Sequence, residues 1–437
     1  MSYMRPPIPE ASSRAARRGK PPRRLSRSTV LAIAASFLAA CSASTVDAVG
    51  APNGVTGNAD AATRAQIEAV ARDAMAAYSL RALIIRATID GQDVYTAAMG
   101  ESLSGMPATP DMHFRNGAFA FTYIGEVFAK LVDAGSVSLD AKLATWFPEL
   151  PRANQITVKN LLNMTSGYAD YVYQPVILDS LNIDPFRQWT SDELVAIGMS
   201  APEQFAPGTN WGYSHTNYVI LGKVLEKITQ KPLADVMQEY IFRPMKLTAT
   251  SDNGGTAFIP EPVLHVYSSE RRSALSVPAN KPFYEESTYW NPSWTTANGA
   301  VQTTNIFDVT TSMEIVGSGA QVSPAMYREQ VEPRLIGFGH KDSTGACSAC
   351  SDNTVQRSYG LGVVLIGPWI TQTKNFAGSG ATSGYLPSKK LTISVATTYS
   401  SAAFTDDGSY SNSSNAVFKS LAAVLAPGQL PDAVQGR

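Results

Sequence analysis

The spacing of apolar residues predicts a helix soon after the beginning of the chain and several more in its middle. Residues 62–78 place Ile67, Val70 and Met75 near the helical period of about 3.6 residues. Similar patterns recur from Gly117 to about Lys246 and again near the end. These further predicted helices are 117–135, 157–167, 191–201, 214–229, 232–242, 305–317 and 413–426.

Predicted strands lie on both sides of this helical middle. Residues 83–89 and 94–99 are joined by a short polar segment, Asp90-Gly91-Gln92-Asp93, which predicts an antiparallel hairpin. Later strands are predicted at 359–367, 370–378 and 390–400, and loops at 250–298. Strands at both ends around helices indicate an α+β fold, with an antiparallel sheet flanked by helices and a mainly helical insertion subdomain. We expect the sheet part at about 62–116 and 299–426, and the insertion at about 117–298.

The first forty residues have the pattern of an export signal. A basic stretch precedes the apolar run 30–40, which is shorter than the roughly 20 residues of a membrane-spanning helix. We therefore predict that residues 1–40 are a signal peptide. Residues 41–61 are small and polar and are predicted to form a flexible tether, followed by a folded domain at 62–426 and a tail at 427–437.

The residues Leu38-Ala39-Ala40-Cys41 resemble the lipobox of bacterial lipoproteins. The resemblance implies that Cys41 becomes the lipidated first residue of an exported protein. The protein would then be anchored to a membrane of the cell envelope and face outside the cytoplasm. The alternative is an ordinary secretory signal in which the cysteine is incidental.

Composition narrows the choice of partners and cofactors. The chain has 437 residues, of which 44% are hydrophobic and 16% charged, as in ordinary globular proteins. Its net charge of -1 combines a basic beginning with an acidic remainder, so the body has no basic surplus for nucleic acid. The four histidines are scattered without paired spacing, and we predict neither a metal site nor a cofactor.

Cys347 and Cys350 have a C-x-x-C spacing inside a segment rich in Gly, Ser and Asp. A thioredoxin-like redox motif would require a strand before the pair and a helix after it, and neither pattern is found there. In an oxidising compartment we expect a small disulfide that closes a loop. Redox catalysis by a dithiol is the alternative.

Several blocks, in order, resemble the penicillin-recognising serine hydrolases, which include class C β-lactamases, D-alanyl-D-alanine carboxypeptidases and related esterases. The segment from His113 to Thr122 resembles their F-R-x-G-S-x-x-K-T block. The other matching blocks are 139–140, 156–167, 207–222, 241–247, 359–362 and 378–385. The resemblance covers roughly 62–426 and implies a β-lactamase/transpeptidase-like fold. It also implies a reactive serine at a helix start and a lysine three residues later as its base. A Tyr-x-Asn loop and a final Lys/His-x-Gly strand complete the site in that family.

The chain departs from this family at the positions that carry the chemistry. Ala118 stands at the serine position and Phe121 at the lysine position, and no Ser-x-x-Lys occurs anywhere in the sequence. The nearest substitute is Thr371-Gln-Thr-Lys374, far from the matching block. His215 replaces the asparagine after Tyr213, and Gly378 replaces the final Lys or His. Neither a methyl group nor a phenyl ring can attack a carbonyl or accept a proton.

We therefore expect a catalytically degenerate member that binds a cell-wall peptide or an envelope protein in the remnant cleft. The motif-equivalent binding positions are Ala118, Phe121, Tyr213, His215, Gly378, Ser379 and Gly380. Backbone N–H groups at Ala118 and near Gly380 are expected to persist as oxyanion donors.

The alternative is an active hydrolase, esterase or carboxypeptidase-like enzyme with a relocated nucleophile and Tyr213 or His215 as base. The candidate nucleophiles are Thr122, Ser214 and Ser379. The ordinary structural interpretation is that Tyr213 is a loop aromatic and that His215 caps the next helix. Ser166 is interpreted as structural.

Overall fold

An antiparallel sheet of nine strands lies at the centre of the residues that the computed structural model describes, namely 50–332, 335–341, 347 and 349–431. Its strand order is β1-β3-β2-β14-β13-β12-β11-β10, and β4 pairs with β3. These strands are β1 Asn53–Thr56, β2 Leu80–Ile89, β3 Gln92–Leu103, β4 Met106–Pro107, β10 Arg357–Tyr359, β11 Val364–Ile366, β12 Trp369–Phe376, β13 Ser379–Leu386 and β14 Leu391–Tyr399.

Short strands form two smaller sheets within the described residues, ordered β5-β9-β6 and β7-β8. They are β5 Phe114–Arg115, β6 Ser251–Asp252, β7 Tyr267–Ser268, β8 Glu285–Glu286 and β9 Gln302–Thr304. The first of these sheets joins the end of the N-terminal sheet part to the insertion, because β5 and β6 both pair with β9.

The helices cover both faces of the main sheet. The α-helices are α1 Ala61–Ala77, α2 Phe119–Asp133, α3 Val158–Leu162, α4 Pro175–Ile183, α5 Ser191–Ser200, α6 His215–Thr229, α7 Leu233–Met237, α8 Arg243–Met245, α9 Ile306–Ser318, α10 Pro324–Val331 and α11 Ser414–Leu425. A π-helical turn, Gln238–Phe242, joins α7 to α8. Short 3-10 turns lie at Leu143–Thr145, Tyr171–Tyr173, Pro387–Lys389 and Ser401–Ala403. Within the described residues, no helix has the length and apolar character needed to cross a bilayer.

Two apolar cores lie on opposite faces of the sheet, because successive side chains of a strand point to opposite sides. On β14, Ile393 and Val395 belong to the core shared with α1 and α11, whereas Ala396 belongs to the core that contains Phe121 and much of the insertion. Helix α2 lies in this second core and contacts β12 and α6. This packing places the start of α2 beside the central strands.

The predicted α+β architecture is confirmed, with the N-terminal hairpin joined to the C-terminal strands through the pairing of β14 with β2. Some elements differ from the sequence pattern. The segment 359–367, predicted as one strand, forms β10 and β11 around a turn closed by the Gly360 N–H and the Val363 carbonyl, 2.9 Å apart. Helices α4 and α10 and strand β13 had no recognised apolar pattern.

The expected tether at 41–61 is shorter than predicted. Its described part contains β1, which pairs with β3, and the N–H groups of Asn58 and Ala59 donate to the carbonyls of Asp93 and Val94 at 3.1 and 3.0 Å. An exposed strand edge offers unpaired backbone groups, and this short segment pairs with them while Val55 packs against the neighbouring core. The expected tail also begins later, because Trp369 Nε1 donates to the Gln429 carbonyl at 2.7 Å. The predicted signal peptide and Cys41 lie outside the described residues.

Candidate active site

Helix α2 begins at a left-handed glycine. Gly117 has a φ of 56°, and a Cβ at this position would lie 2.5 Å from Cγ of Lys374. Glycine is therefore required both by the backbone conformation and by the close packing of Lys374. Ala118 is the N-cap residue and has no side-chain capping hydrogen bond. The N–H groups of Gly117 and Ala118 donate no hydrogen bond to another described residue.

Phe121 lies one turn into α2 in an aromatic cluster. Its side chain is 1% exposed and stacks on Tyr218 with ring centroids 4.1 Å apart and an interplanar angle of 16°. The ring also contacts His215 edge to face at 5.4 Å and Tyr213 at 5.9 Å. Such pairs contribute about 0.5–1.5 kcal/mol each beyond their buried area. The position that carries a lysine in the resembling proteins is therefore part of the apolar core.

Tyr213 and His215 lie on the segment that leads into α6. Both residues are half-buried, and their rings meet edge to face with centroids 5.2 Å apart. Burial raises the pKa of the Tyr213 phenol well above its ordinary value, so the hydroxyl stays protonated near neutral pH. Tyr213 is thus a poor general base, although its hydroxyl can still form hydrogen bonds.

His215 is paired with a buried carboxylate. Its Nδ1 lies 2.9 Å from Oδ2 of Asp170, whose Oδ1 accepts the N–H of Val172 at 3.0 Å. The expectation that His215 caps α6 is wrong: Ser214 occupies the N-cap position, and His215 is the first helical residue. The ring is held by Asp170 and by its aromatic neighbours instead.

A second polar pair lies on the hairpin of β12 and β13. The amine of Lys374 donates a hydrogen bond to Ser379 Oγ, and this hydroxyl lies 2.8 Å from the carbonyl oxygen of Phe376. Lys374 and Ser379 are only 3% and 2% exposed. Burial, together with the smaller effect of the Arg115 charge, lowers the pKa of Lys374 to about 7. Within the described residues, no carboxylate forms an ion pair with this amine.

The two remaining glycines of the matching block, Gly378 and Gly380, are required by the packing of the β12–β13 hairpin. Gly378 has a φ of 85° and follows Ala377 with a φ of 43°, the backbone of a tight two-residue turn. A Cβ at Gly378 would collide with the Tyr267 carbonyl, which explains why a lysine or histidine cannot occupy this position here. Gly380 faces the other side of the sheet, where a Cβ would collide with the side chain of Asn412.

A family model described as Beta-lactamase matches residues 67–410, most of the chain. The chain belongs to the beta-lactamase family. Esterase EstB of Burkholderia gladioli is 29% identical over 198 residues, which cover 42% of this chain and 50% of the esterase. Penicillin-binding protein 4 of Amycolatopsis lactamdurans is 30% identical over 167 residues, 36% of this chain and 41% of that protein. This chain therefore matches half or less of the length of these curated relatives.

Solved structures of other proteins share this fold. A D-stereospecific amidohydrolase from Streptomyces sp. has a TM-score of 0.65 and 23% identity, with 84% of this chain and 99% of that chain covered. A penicillin-binding protein homologue from Pyrococcus abyssi has a TM-score of 0.65 and 20% identity, with 84% and 79% covered. At these identities the likeness shows the fold alone.

The structure brings together some of the expected site residues of this beta-lactamase family member and separates others. Phe121, Tyr213 and His215 are in mutual contact. Ser379 lies instead beside Lys374, which packs against Gly117. Thr122 and Ser214 are buried and donate to the carbonyls of Gly362 and Ala169 at 2.8 and 3.3 Å. Ser166 is buried against Asn217, with their side-chain oxygens 2.6 Å apart, consistent with a structural role.

Three features of the site were missed or incomplete in the sequence pattern. Asp170 and Arg115 were not recognised, and Lys374 was noted only as part of a poor Ser-x-x-Lys substitute. The available signal was the hairpin register: a turn at Ala377 and Gly378 places Lys374 and Ser379 on the same face. That register requires β13 to be recognised as a strand.

Cys347 and Cys350 are joined by a disulfide in the structure. The pair packs beside the Tyr213 segment, because a Cβ on Gly212 would lie 3.2 Å from Cys347 Sγ, and the Tyr213 N–H lies 3.4 Å from the Ala349 carbonyl oxygen. Within the described ranges, no group of three or more His, Cys, Asp or Glu side chains is arranged to hold a metal ion.

Proposed function

We propose that this beta-lactamase family member does not form an acyl-enzyme at the start of α2 and instead binds a peptide-like ligand in its cleft. The supporting observation is the buried ring of Phe121, stacked on Tyr218 where the family mechanism needs a lysine. Ala118 offers no nucleophile in the preceding turn. Removing nucleophile and base together eliminates the covalent route but leaves binding and backbone donors.

The proposed ligand is a cell-wall peptide that ends in D-amino acids, and an envelope protein is the alternative partner. Relatives and structural neighbours bear the names penicillin-binding protein, D-stereospecific amidohydrolase and D-amino acid amidase. In this chain the half-buried aromatic rings of Tyr213 and His215 carry polar edges, and the buried ring of Phe121 packs against both of them. An aromatic wall with a few polar groups is typical of small-ligand sites.

We also propose that this binding takes place in the cell envelope. The support is the export pattern of residues 1–40 and the lipobox-like Cys41, which would anchor the protein to a membrane. Mass spectrometry of the protein purified from membranes tests this proposal. A diacylglyceryl group on Cys41 is expected, and a chain processed elsewhere without lipid would contradict it.

Titration calorimetry tests the binding proposal. The full chain carrying Ser379→Ala, which removes a hydroxyl near the cleft, is titrated with an acyl-D-alanyl-D-alanine peptide and with its L,L isomer as matched control. We expect saturable binding of the D,D peptide, at least about tenfold tighter than that of the L,L peptide, and weaker binding after an additional Tyr213→Ala substitution. Equal or absent binding of the two isomers would overturn the proposed ligand.

A second candidate function, an active hydrolase with His215 as base, is favoured by one observation. Asp170 holds Nδ1 of His215 at 2.9 Å, an arrangement that orients an imidazole for proton transfer. However, none of the described hydroxyl groups donates to His215, so this base has no nucleophile beside it. The binding proposal is therefore the better supported of the two.

A further inference from the structure

We propose that Lys374 and Ser379 form a relocated base and nucleophile that hydrolyses carboxylic esters bound in the cleft. The proposal rests on ligand binding in the cleft and adds chemistry to it. Neither residue belongs to α2, where the family mechanism places its serine and lysine. Both lie on the hairpin of β12 and β13.

The hairpin register directs both side chains towards α2. Phe376 pairs with Ser379 and Lys374 pairs with Ala381, so all four side chains lie on one face of the sheet. Phe376 and Ala381 belong to the same apolar core as helix α2. The hydrogen bond between Lys374 and Ser379 therefore forms on the side of the sheet where α2 begins.

Charge favours Lys374 as the base. The amine is buried and has no carboxylate partner among the described residues, and the nearest charge that affects it is the cation Arg115. Both conditions disfavour the ammonium form, and the pKa of Lys374 falls to about 7. A large fraction of the amine is therefore neutral at pH 7–8 and able to accept a proton. The Ser379 hydroxyl can then donate to this amine instead of to the Phe376 carbonyl.

The start of α2 supplies the groups that stabilise a developing negative charge. Gly117 packs directly on the Lys374 side chain, and the N–H groups of Gly117 and Ala118 have no acceptor among the described residues. Unpaired N–H groups at the start of a fifteen-residue helix carry a partial positive charge. Gly117 and Ala118 are half-buried and have little or no side chain, so the proposal requires an ester to approach the buried pair beside them.

The reaction proceeds by acyl transfer and hydrolysis. Ser379 Oγ attacks the ester carbonyl carbon while its proton moves to the neutral amine of Lys374. The carbon–oxygen bond to the alcohol then breaks, and the ammonium returns the proton to the departing alkoxide, which leaves an acyl ester on Ser379. Lys374 then takes a proton from water, and the resulting hydroxide attacks the acyl ester. The ammonium returns this proton to Ser379 Oγ as the free acid departs, which restores both residues.

The first test uses the unmodified full chain. The protein is incubated with a fluorophosphonate probe, in which Ser379 Oγ would displace fluoride from phosphorus. The adduct is located by intact mass and peptide mapping. In parallel, hydrolysis of p-nitrophenyl butyrate is followed from pH 5 to 9. We expect one adduct on the peptide that contains Ser379 and a hydrolysis rate that rises with pH through about 7. A folded protein with no adduct, or with an adduct on another residue, overturns the proposal.

Matched variants test the two roles. Ser379→Ala and Lys374→Met should each reduce labelling and ester hydrolysis at least about 100-fold. Ser383→Ala is the control, because Ser383 is buried on the same strand and face and lies 2.6 Å from Ser394 rather than beside a lysine. It should retain full labelling, and equal loss in Ser383→Ala would overturn the assignment.

Peptide binding by Ser379→Ala, described above, separates the two proposals. Binding of the D,D peptide without any labelling of the unmodified protein would leave the proposed function standing and overturn the relocated pair. Labelling of Ser379 without peptide binding would support the pair and overturn the proposed ligand.

Discussion

The start of α2 and the hairpin of β12 and β13 meet where Gly117 packs on Lys374, yet they have opposite chemical character. At the helix, the first turn carries the methyl group of Ala118 and the stacked phenyl ring of Phe121. At the hairpin, the buried amine of Lys374 donates a hydrogen bond to the buried hydroxyl of Ser379. The comparison shows that a sequence motif describes the residues of one element, whereas a functional site is assembled from side chains of several elements.

The largest change is expected when a Ser-x-x-Lys motif is introduced at the start of α2. We expect Ala118→Ser combined with Phe121→Lys to acquire labelling by a fluorescent penicillin at residue 118, where the unmodified protein has no nucleophile. A spacing of three residues places both side chains on one helix face. Peptide mapping locates the label, and Ala118→Ser alone is the control without the restored lysine on α2. A folded double variant that stays unlabelled at residue 118 would mean that the cleft has been rebuilt around the aromatic cluster.

Truncating the Phe121 ring tests how much its packing contributes to the stability of the protein. Phe121→Ala should lower the free energy of unfolding by about 3–5 kcal/mol, because it leaves a cavity beside Tyr218. Urea denaturation followed by circular dichroism measures the change. Phe258→Ala is the matched control: that side chain is 65% exposed, and its loss should change stability by less than about 0.5 kcal/mol. Similar losses for both variants would contradict the packing role of Phe121.

Removing the buried amine tests the hairpin side. Burial lowers the pKa of Lys374 from 10.5 to about 7. Between these pH values the unfolded chain binds one more proton than the folded state, so the free energy of unfolding decreases as the pH falls. The penalty is complete below pH 7 and disappears as pH rises through 10.5. Lys374→Met should therefore raise the free energy of unfolding by about 2–4 kcal/mol at pH 6 and much less at pH 10. The exposed Lys389→Met is the control, and a pH-independent gain would argue against a buried charge at Lys374.

A smaller effect on stability is expected from Glu126, whose carboxyl group is buried on α2. Burial raises the pKa of Glu126 to about 7 despite Lys130, whose Nζ lies 4.0 Å from Oε1. Stability is full below about pH 4.5 and falls as pH rises from there through 7, because the unfolded chain releases its proton first. Glu126→Gln should gain about 1–2 kcal/mol at pH 8 and nothing at pH 4, measured by denaturation at both values. An equal change at both pH values would contradict this assignment.

Elements with a clear apolar pattern could be predicted from the sequence, and those whose burial depends on distant neighbours could not. Helix α1 repeats apolar residues with the helical period, and the hairpin of β2 and β3 combines two apolar runs with a short polar turn. Strand β13 is buried along its whole length but consists largely of small or polar residues. Gly384 explains why: a Cβ there would lie 2.6 Å from the Phe418 ring, so packing from α11 requires the small residue.

The same limitation applied to the site. Ala118, Phe121, Tyr213 and His215 were recognised because they occupy motif positions in order along the chain. Asp170 lies 45 residues before His215, and nothing local reveals that the two side chains meet. The role of Lys374 depends on the register with β13, so it could not be assigned until that strand was known.

If Cys41 is lipidated as proposed, the pairing of β1 with β3 limits the distance between the sheet edge and the membrane. Asn53 is fixed on the edge of the sheet, and only twelve residue steps separate it from Cys41. A fully extended chain of that length spans at most about 40 Å. With a lipid on Cys41, the sheet edge could therefore move no farther than this from the bilayer surface. The cleft would then meet only ligands that enter this layer, which favours partners held near the same membrane over those diffusing freely beyond it.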